Sequence, residues 1–347
     1  MNSLISLHQL GWQPFFQQQL ALDEYEHATI ARIVTIHRNE YVVQTNHATL
    51  KLAIDTESAS FTVGDWLLLD TNNLLIRRLE RKSLFRRKAA GSAAKAQQIA
   101  ANVDTLFVVC SLNHDFNLSR IERYLALAHD AQVEPVVVLT KQDMCNDAED
   151  KCSAVQQLDP MLRVVSVDAR DQSSCLCLAD WTQQGQSIAL LGSSGVGKST
   201  LVNTLMGQTD QQIGEIRQDD SKGRHTTTAR SIHFLPSGAV LIDTPGMREL
   251  QLAACEQGVK QTFADVEALA SQCRFSDCQH TTEPGCSIQQ ALASKALDPR
   301  RLSNYRKLLS EQARNSATLA ERRAKDKAFG KMVKTVGTAS RHVKKGY

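Results

Sequence analysis

No stretch of this 347-residue chain approaches the roughly 20 consecutive apolar residues that a membrane-crossing helix needs, so no membrane span and no membrane partner are expected. The opening MNSLISLHQL has no basic residue ahead of its apolar ones and gives way at once to Gly11, Gln13 and Pro14. A secretory leader is therefore not expected, and a cytoplasmic location is. In that reducing compartment the nine cysteines do not read as a disulfide framework: clustered Cys are metal ligands, and scattered Cys are small hydrophobes. Internal repeats are absent. So is any extreme of composition, since 42% hydrophobic and 22% charged residues exclude wholesale disorder and fibres. A chain of this length with that composition supports two or three globular domains.

Acidic residues are scarce in one place. From position 301 to 347 thirteen Lys or Arg stand against Glu311, Glu321 and Asp326 alone, an excess of ten in a chain whose net charge is +3. That asymmetry belongs to an arm that binds a polyanion. A second basic run holds Arg77, Arg78, Arg81, Lys82, Arg86, Arg87 and Lys88 against Glu80, followed by small residues. It reads as an exposed basic linker able to track phosphates.

Between these runs the hydrophobic rhythm changes twice. Residues 1–27 form an extension in which Trp12, Phe15 and Phe16 suggest docking. Residues 28–80 then alternate with period two around Ala31, Ile33 and Thr35, around Leu50, Leu52 and Ile54, and again around Trp66 and Leu74. About five short strands suggest a barrel of OB type, an architecture that commonly binds RNA. From Val103 onward, apolar strands at 103–110, 136–139, 163–167, 188–191, 232–235 and 240–243 alternate with helix-like segments, one of them capped by Ser119. Such alternation signals a mostly parallel sheet with helices on both faces.

Three motifs sit on that sheet. Gly192-Ser193-Ser194-Gly195-Val196-Gly197-Lys198-Ser199-Thr200 follows a strand and opens a helix. Its glycines let backbone N–H groups curl around phosphates, Lys198 reaches the β and γ oxygens, and Ser199 is placed to ligate Mg²⁺. Asp243-Thr244-Pro245-Gly246 follows another strand, so that Asp243 serves the Mg²⁺ shell and the Gly246 N–H faces the γ-phosphate. Thr140-Lys141-Gln142-Asp143 names the base. An Asp there accepts from guanine N1–H and the 2-amino group, donors that adenine lacks in this geometry. Thr140 keeps a hydroxyl for tying loops together, and Ser166 is a candidate second contact to the base.

Between the phosphate loop and Asp243 lies Gly223-Arg224-His225-Thr226-Thr227-Thr228. One of its threonines should reach Mg²⁺ and the γ-phosphate, with Thr227 the first choice and Thr226 and Thr228 open. Met247 stands where a glutamine would orient the attacking water, so His225 or a partner is expected to do so. Further on, Cys273, Cys278, His280 and Cys286 supply three thiolates and an imidazole within fourteen residues, the donor set of a closed, structural zinc site.

The base motif precedes the phosphate loop, the reverse of the order in ordinary small GTPases. With the barrel, the Gly223 to Thr227 segment, Asp243-Thr244-Pro245-Gly246 and the Cys/His set, this chain resembles the RsgA/YjeQ family of circularly permuted GTPases. That family acts in late assembly of the small ribosomal subunit. The resemblance implies a multidomain α/β protein: an OB-type barrel with its basic linker over 28–90, a permuted GTPase domain over 91–252, and a zinc-containing helical domain with a basic tail over 253–347. It further implies subunit-stimulated hydrolysis of GTP to GDP that times release from the small (30S) subunit and its rRNA. The chain would act as a monomer alongside other assembly factors. A phosphate-loop kinase would not need Asp143, and a non-catalytic zinc-bearing RNA-binding regulator would not need Lys198, Ser199 and Asp243.

Overall fold

The computed structural model describes residues 5–54, 60–88, 96–207, 230–243, 247 and 255–316. Five antiparallel strands come first: β1 (Thr29–Ile36), β2 (Glu40–Gln44), β3 (Thr49–Ala53), β4 (Trp66–Leu69) and β5 (Leu75–Arg78), laid side by side as β3-β2-β1-β4-β5. The period-two pattern puts Ala31, Ile33, Tyr41, Val43, Leu67 and Leu69 into one core. The other pleat of β4, Trp66 and Leu68, would face water without a cover. The N-terminal extension supplies it through Trp12 and α1 (Pro14–Gln17): Trp12 and Phe16 pack at ring-centroid distances of 4.9 and 5.7 Å from Trp66. Helix α2 (Leu22–His27) follows.

The basic run at 77–88 departs from the exposed linker expected of it. Arg77 forks onto Glu24 of α2 at 2.7 Å. Arg81 forks onto the fully buried Asp65 at 2.6 and 2.7 Å, and Lys82 meets Asp104 at 2.9 Å. Residues 84–88 are strand β6 (Leu84–Lys88), paired antiparallel with β7 (Ala96–Ala101). Charge density reads as linker only when the acids that answer it are distant in sequence, as Glu24 and Asp65 are.

The second sheet region contains β8 (Thr105–Ser111), β9 (Glu134–Thr140), β10 (Arg163–Val167), β11 (Ser187–Leu191), β12 (Arg230–Phe234) and β13 (Val240–Asp243). The strands β10-β9-β8-β11-β13 are mutually parallel, and β12 closes the series antiparallel. β12 then pairs with β1, so barrel and nucleotide sheet share one continuous path of strands. Every residue of β8 is buried, as a strand covered on both faces requires. Helices α3 (Leu118–Asp130) and α4 (Ala148–Gln156) cover one face. α5 (Lys198–Leu205) and the 3-10 turn Ser174–Trp181 cover the other. The cap of α3 is Asn117, whose side chain accepts the Arg120 N–H; the expected cap, Ser119, instead faces Arg300.

The C-terminal helices are α6 (Glu256–Thr262), α7 (Ala264–Ala270), α8 (Ser287–Ala293) and α9 (Pro299–Ser316). α6 lies so close to α3 that a Cβ on Gly258 would strike the Ala126 carbonyl. An ionic node locks α9 to α3. Glu122, fully buried, accepts from Arg300 at 2.9 and 3.1 Å, Arg301 at 2.9 Å and Asn304 at 2.5 Å. Arg301 also forks onto Asp265 and lies 4.8 Å over the Phe263 ring. Arg123 holds Glu311 beside it. Among the described residues no helix is long and apolar enough to cross a membrane.

Candidate nucleotide site and metal centre

Open parallel sheets bind ligands beyond the carboxyl ends of their strands, where strand order reverses direction. In the order β10-β9-β8-β11-β13 that reversal lies between β8 and β11, and the loop leaving β11 is Gly192 to Gly197. Gly192 is there because nothing larger fits: a Cβ would collide with the Val109 carbonyl of β8. Gly197 takes φ +94° at the cap of α5, a left-handed conformation that glycine adopts freely. Val196 is buried, whereas Ser194, Gly195 and Ser199 are exposed, and Thr200 is half-buried. Lys198 folds back to donate to the carbonyls of Gly192, at 2.7 Å, and Ser193. We expect Gly192→Ala to abolish tight nucleotide binding and to cost about 1–3 kcal/mol of stability through overpacking; nucleotide titration and thermal melting would check both.

The base motif leaves β9, two strands from the phosphate loop, and its first two residues reach across. The buried Thr140 hydroxyl donates to the Val196 carbonyl at 2.5 Å, with Cys110 O at 3.3 Å. Lys141, at φ +61°, donates through Nζ to the Gly195 carbonyl at 3.0 Å. Threonine in place of an amide thus still joins the two loops. Gln142 and Asp143 lie in the 3-10 turn Gln142–Met144. Asp143 Oδ2 accepts from Arg170 Nη2 at 2.6 Å, and the same guanidinium bonds both oxygens of Asp168 at 3.1 Å. It holds Asp168 below the usual carboxylate range.

Ser166 is half-buried on β10, where it pairs in register with Leu139, the residue before the base motif. Arg170, four residues later, is the side chain of that loop which reaches the base motif. Nothing in the sequence announced it, because no motif fixes an arginine there. Arg120 of α3 was equally silent: it donates to Ser193 Oγ at 2.9 Å and pairs with Asp115. Tyr124 lies 3.4 Å from the same hydroxyl. Asp243 is exposed at the end of β13, next to the strand that feeds the phosphate loop. His225, Thr226, Thr227, Thr228 and Gly246 lie outside the described residues.

The ligand atoms of Cys273, Cys278, His280 and Cys286 all lie within 4.8 Å of one another. Cys273 Sγ is 3.5 Å from His280 Nδ1 and 3.8 Å from Cys286 Sγ, and Cys286 Sγ is 3.6 Å from His280 Nδ1. A tetrahedral ion with bonds of about 2.3 Å to sulfur and about 2.0 Å to nitrogen sets its ligands roughly 3.5–3.8 Å apart. The donors therefore fit a metal. Gln289 and Arg306 hold the loop by donating to the His280 carbonyl at 2.6 and 2.9 Å. The scattered thiols differ: burial pushes Cys110 up to about 12 and Cys175 up to about 11.

Comparison with known proteins agrees with this geometry. A family model described as RsgA GTPase matches residues 78–253. An ABC transporter model matches 181–329, a span that includes the phosphate loop. The small ribosomal subunit biogenesis GTPase RsgA 2 of Vibrio parahaemolyticus is 56% identical, over 98% of this chain and 95% of its own. The small ribosomal subunit biogenesis GTPase RsgA of Mesorhizobium japonicum is 46% identical, over 90% of this chain and 91% of its own. Among solved structures, YjeQ from Thermotoga maritima superposes with a TM-score of 0.62 at 23% identity, over 82% of this chain and 98% of that one. YloQ, a circularly permuted GTPase, does so with 0.58 at 20%, over 86% and 99%. Full-length identity at this level shows that the chain belongs to the RsgA GTPase family.

Proposed function

We propose that this chain hydrolyses GTP to GDP and phosphate in the biogenesis of the small ribosomal subunit, the role that the names of its relatives state. The observation that carries the reading is the junction of base motif and phosphate loop through Thr140 and Lys141. Nucleotide bound across it meets both recognition elements at once. Asp143 takes the guanine N1–H and 2-amino donors. The loop amides from Gly192 to Ser199 and the Lys198 ammonium take the phosphates, Lys198 exchanging its carbonyl partners for phosphate oxygens. Ser199, Asp243 and Thr227 are the residues that would hold Mg²⁺, which neutralises charge on the β and γ oxygens when bound. Water attacks the γ phosphorus as the bridging bond to the β-phosphate breaks, with His225 or the ribosomal partner orienting that water. Asp143→Asn should move preference from guanosine to xanthosine nucleotides, read by competition binding; unchanged guanine preference would remove Asp143 from the site.

The donor set and its spacing support zinc as the structural ion. Four protein ligands leave no position for water, so this ion folds the chain and does not catalyse. Structural zinc is worth roughly 10–16 kcal/mol in isolated peptides, more than a small helical module retains without it. Chelation, or Cys286→Ser, should therefore melt the 255–316 helices, seen as a loss of helical circular dichroism with the nucleotide sheet intact.

The chain would divide into an extension over 1–27, a barrel with RNA affinity over 28–90, the GTPase domain over 91–252 and the zinc domain over 253–347, and would act as a cytoplasmic monomer. Because Arg77 and Arg81 are committed to Glu24 and Asp65, the tail is left as the larger source of phosphate contacts. Residues 317–347 hold nine Lys or Arg, each phosphate contact contributing about 0.7–0.9 to the slope of log affinity against log salt. Their removal should flatten that slope for binding to small ribosomal subunits. An unchanged slope would place the contacts elsewhere.

A further inference from the structure

We infer that Arg170 is a positioning residue for guanine recognition, clamping the Asp143 carboxylate in the orientation that reads the base. The inference rests on Asp143 being the guanine acceptor and adds the group that aims it. Asp143 lies on a short 3-10 turn that begins after Lys141 in a left-handed conformation, and its side chain is 31% exposed. Left alone, such a carboxylate samples several rotamers, and only those with both oxygens toward the base satisfy two guanine donors at once. Arg170 removes that freedom from one side. Its Nη2 takes Oδ2 at 2.6 Å, and among the described residues no hydrogen bond occupies Oδ1. Oδ2 has a second lone pair besides.

The clamp is itself anchored. Asp168 accepts from Arg170 Nε, Nη2 and the Arg170 backbone N–H at 3.0–3.1 Å. The loop that carries both residues is tied to the phosphate-binding helix, since Thr204 of α5 donates to the Ala169 carbonyl at 2.6 Å. Asp168 is pinned in turn by its N–H bond to Ser174 Oγ at 3.0 Å. A chain of short bonds therefore runs from α5 through the loop after β10 to the carboxylate. Stability does not explain it: Arg170 is 64% exposed, and exposed ion pairs contribute little to folding. The gain is in recognition, where a side chain ordered in advance need not be ordered by the ligand.

The test is binding of GDP, IDP and XDP to the full-length protein and to Arg170→Ala, Arg170→Lys, Asp143→Asn and the Asp143→Asn/Arg170→Ala double variant. IDP lacks the 2-amino donor, so it draws less from a fixed carboxylate. Arg170→Ala should weaken GDP by about 2- to 10-fold, weaken IDP less, and leave the melting temperature unchanged. Arg170→Lys should restore part of the loss, because an ammonium keeps the charge but not the fork. In the Asp143→Asn background the Arg170 substitution should have no effect on XDP. Equal losses for GDP and IDP, no loss, or tighter GDP binding would each overturn the inference. If Asp143→Asn alone keeps its guanine preference, the base-site reading fails instead, whatever Arg170 does.

Discussion

Glu122→Ala should lower the unfolding free energy by about 3–5 kcal/mol, the cost of removing one partner from a buried ion pair. The magnitude follows from what would remain. Arg301 is nearly buried, and Arg300 and Asn304 converge on the same carboxylate from α9. Asp265 would still answer Arg301, which keeps the loss from being larger. Because Glu122 is on a helix of the nucleotide domain and its partners are on α9, the variant should also separate the two in unfolding. Denaturant melts should change from one transition to two. Glu122→Gln keeps two hydrogen-bonding positions and should cost less. A single transition with unchanged midpoint in Glu122→Ala would show that the apolar packing of α6 on α3 holds the domains unaided.

Lys198→Ala should reduce GTP turnover by roughly 10²–10³, the usual cost of removing one electrostatic stabiliser of a developing charge. The fold should not change with it, since Lys198 is only half-buried and belongs to neither apolar core of the nucleotide sheet. Loss of stability comparable to the loss of turnover would mean that the lysine is structural. The contrast with Gly192→Ala is informative. There backbone crowding against Val109 predicts damage to binding and folding together.

The strands were legible in the sequence because apolar period and turn residues agree. β10 and β13 are bounded as the pattern indicates, and β8, β9 and β11 differ by one or two residues at their ends. The phosphate loop, base motif and Cys/His set were legible because their chemistry fixes the spacing of neighbours along the chain. What escaped depends on partners far apart in sequence. Arg81 reads as linker charge until Asp65 is placed beside it. Glu122 reads as a surface residue of an amphipathic helix until α9 covers it. Arg170 stands 27 positions from Asp143, and no local rule links them. The fusion of barrel and nucleotide sheet through β1 and β12 was hidden for the same reason. Asn117 and Ser119 are comparable caps by type, so geometry alone decides between them.

In chain order the zinc domain follows Asp243, which is one link between them. α3 supplies a second, direct connection: Arg120 and Tyr124 touch Ser193 of the phosphate loop, while Glu122 and Arg123 hold α9. In sequence the basic residues of 317–347 follow α9.

The proposed function is guanine-specific hydrolysis governed by the small ribosomal subunit. Phosphate release by the full-length protein, measured with GTP and with ATP, in the presence and absence of purified small subunits, tests it most directly. Slow GTP turnover alone, a marked rise on adding subunits, and negligible ATP turnover throughout are expected. Equal use of ATP, or GTP turnover indifferent to the subunit, would contradict it.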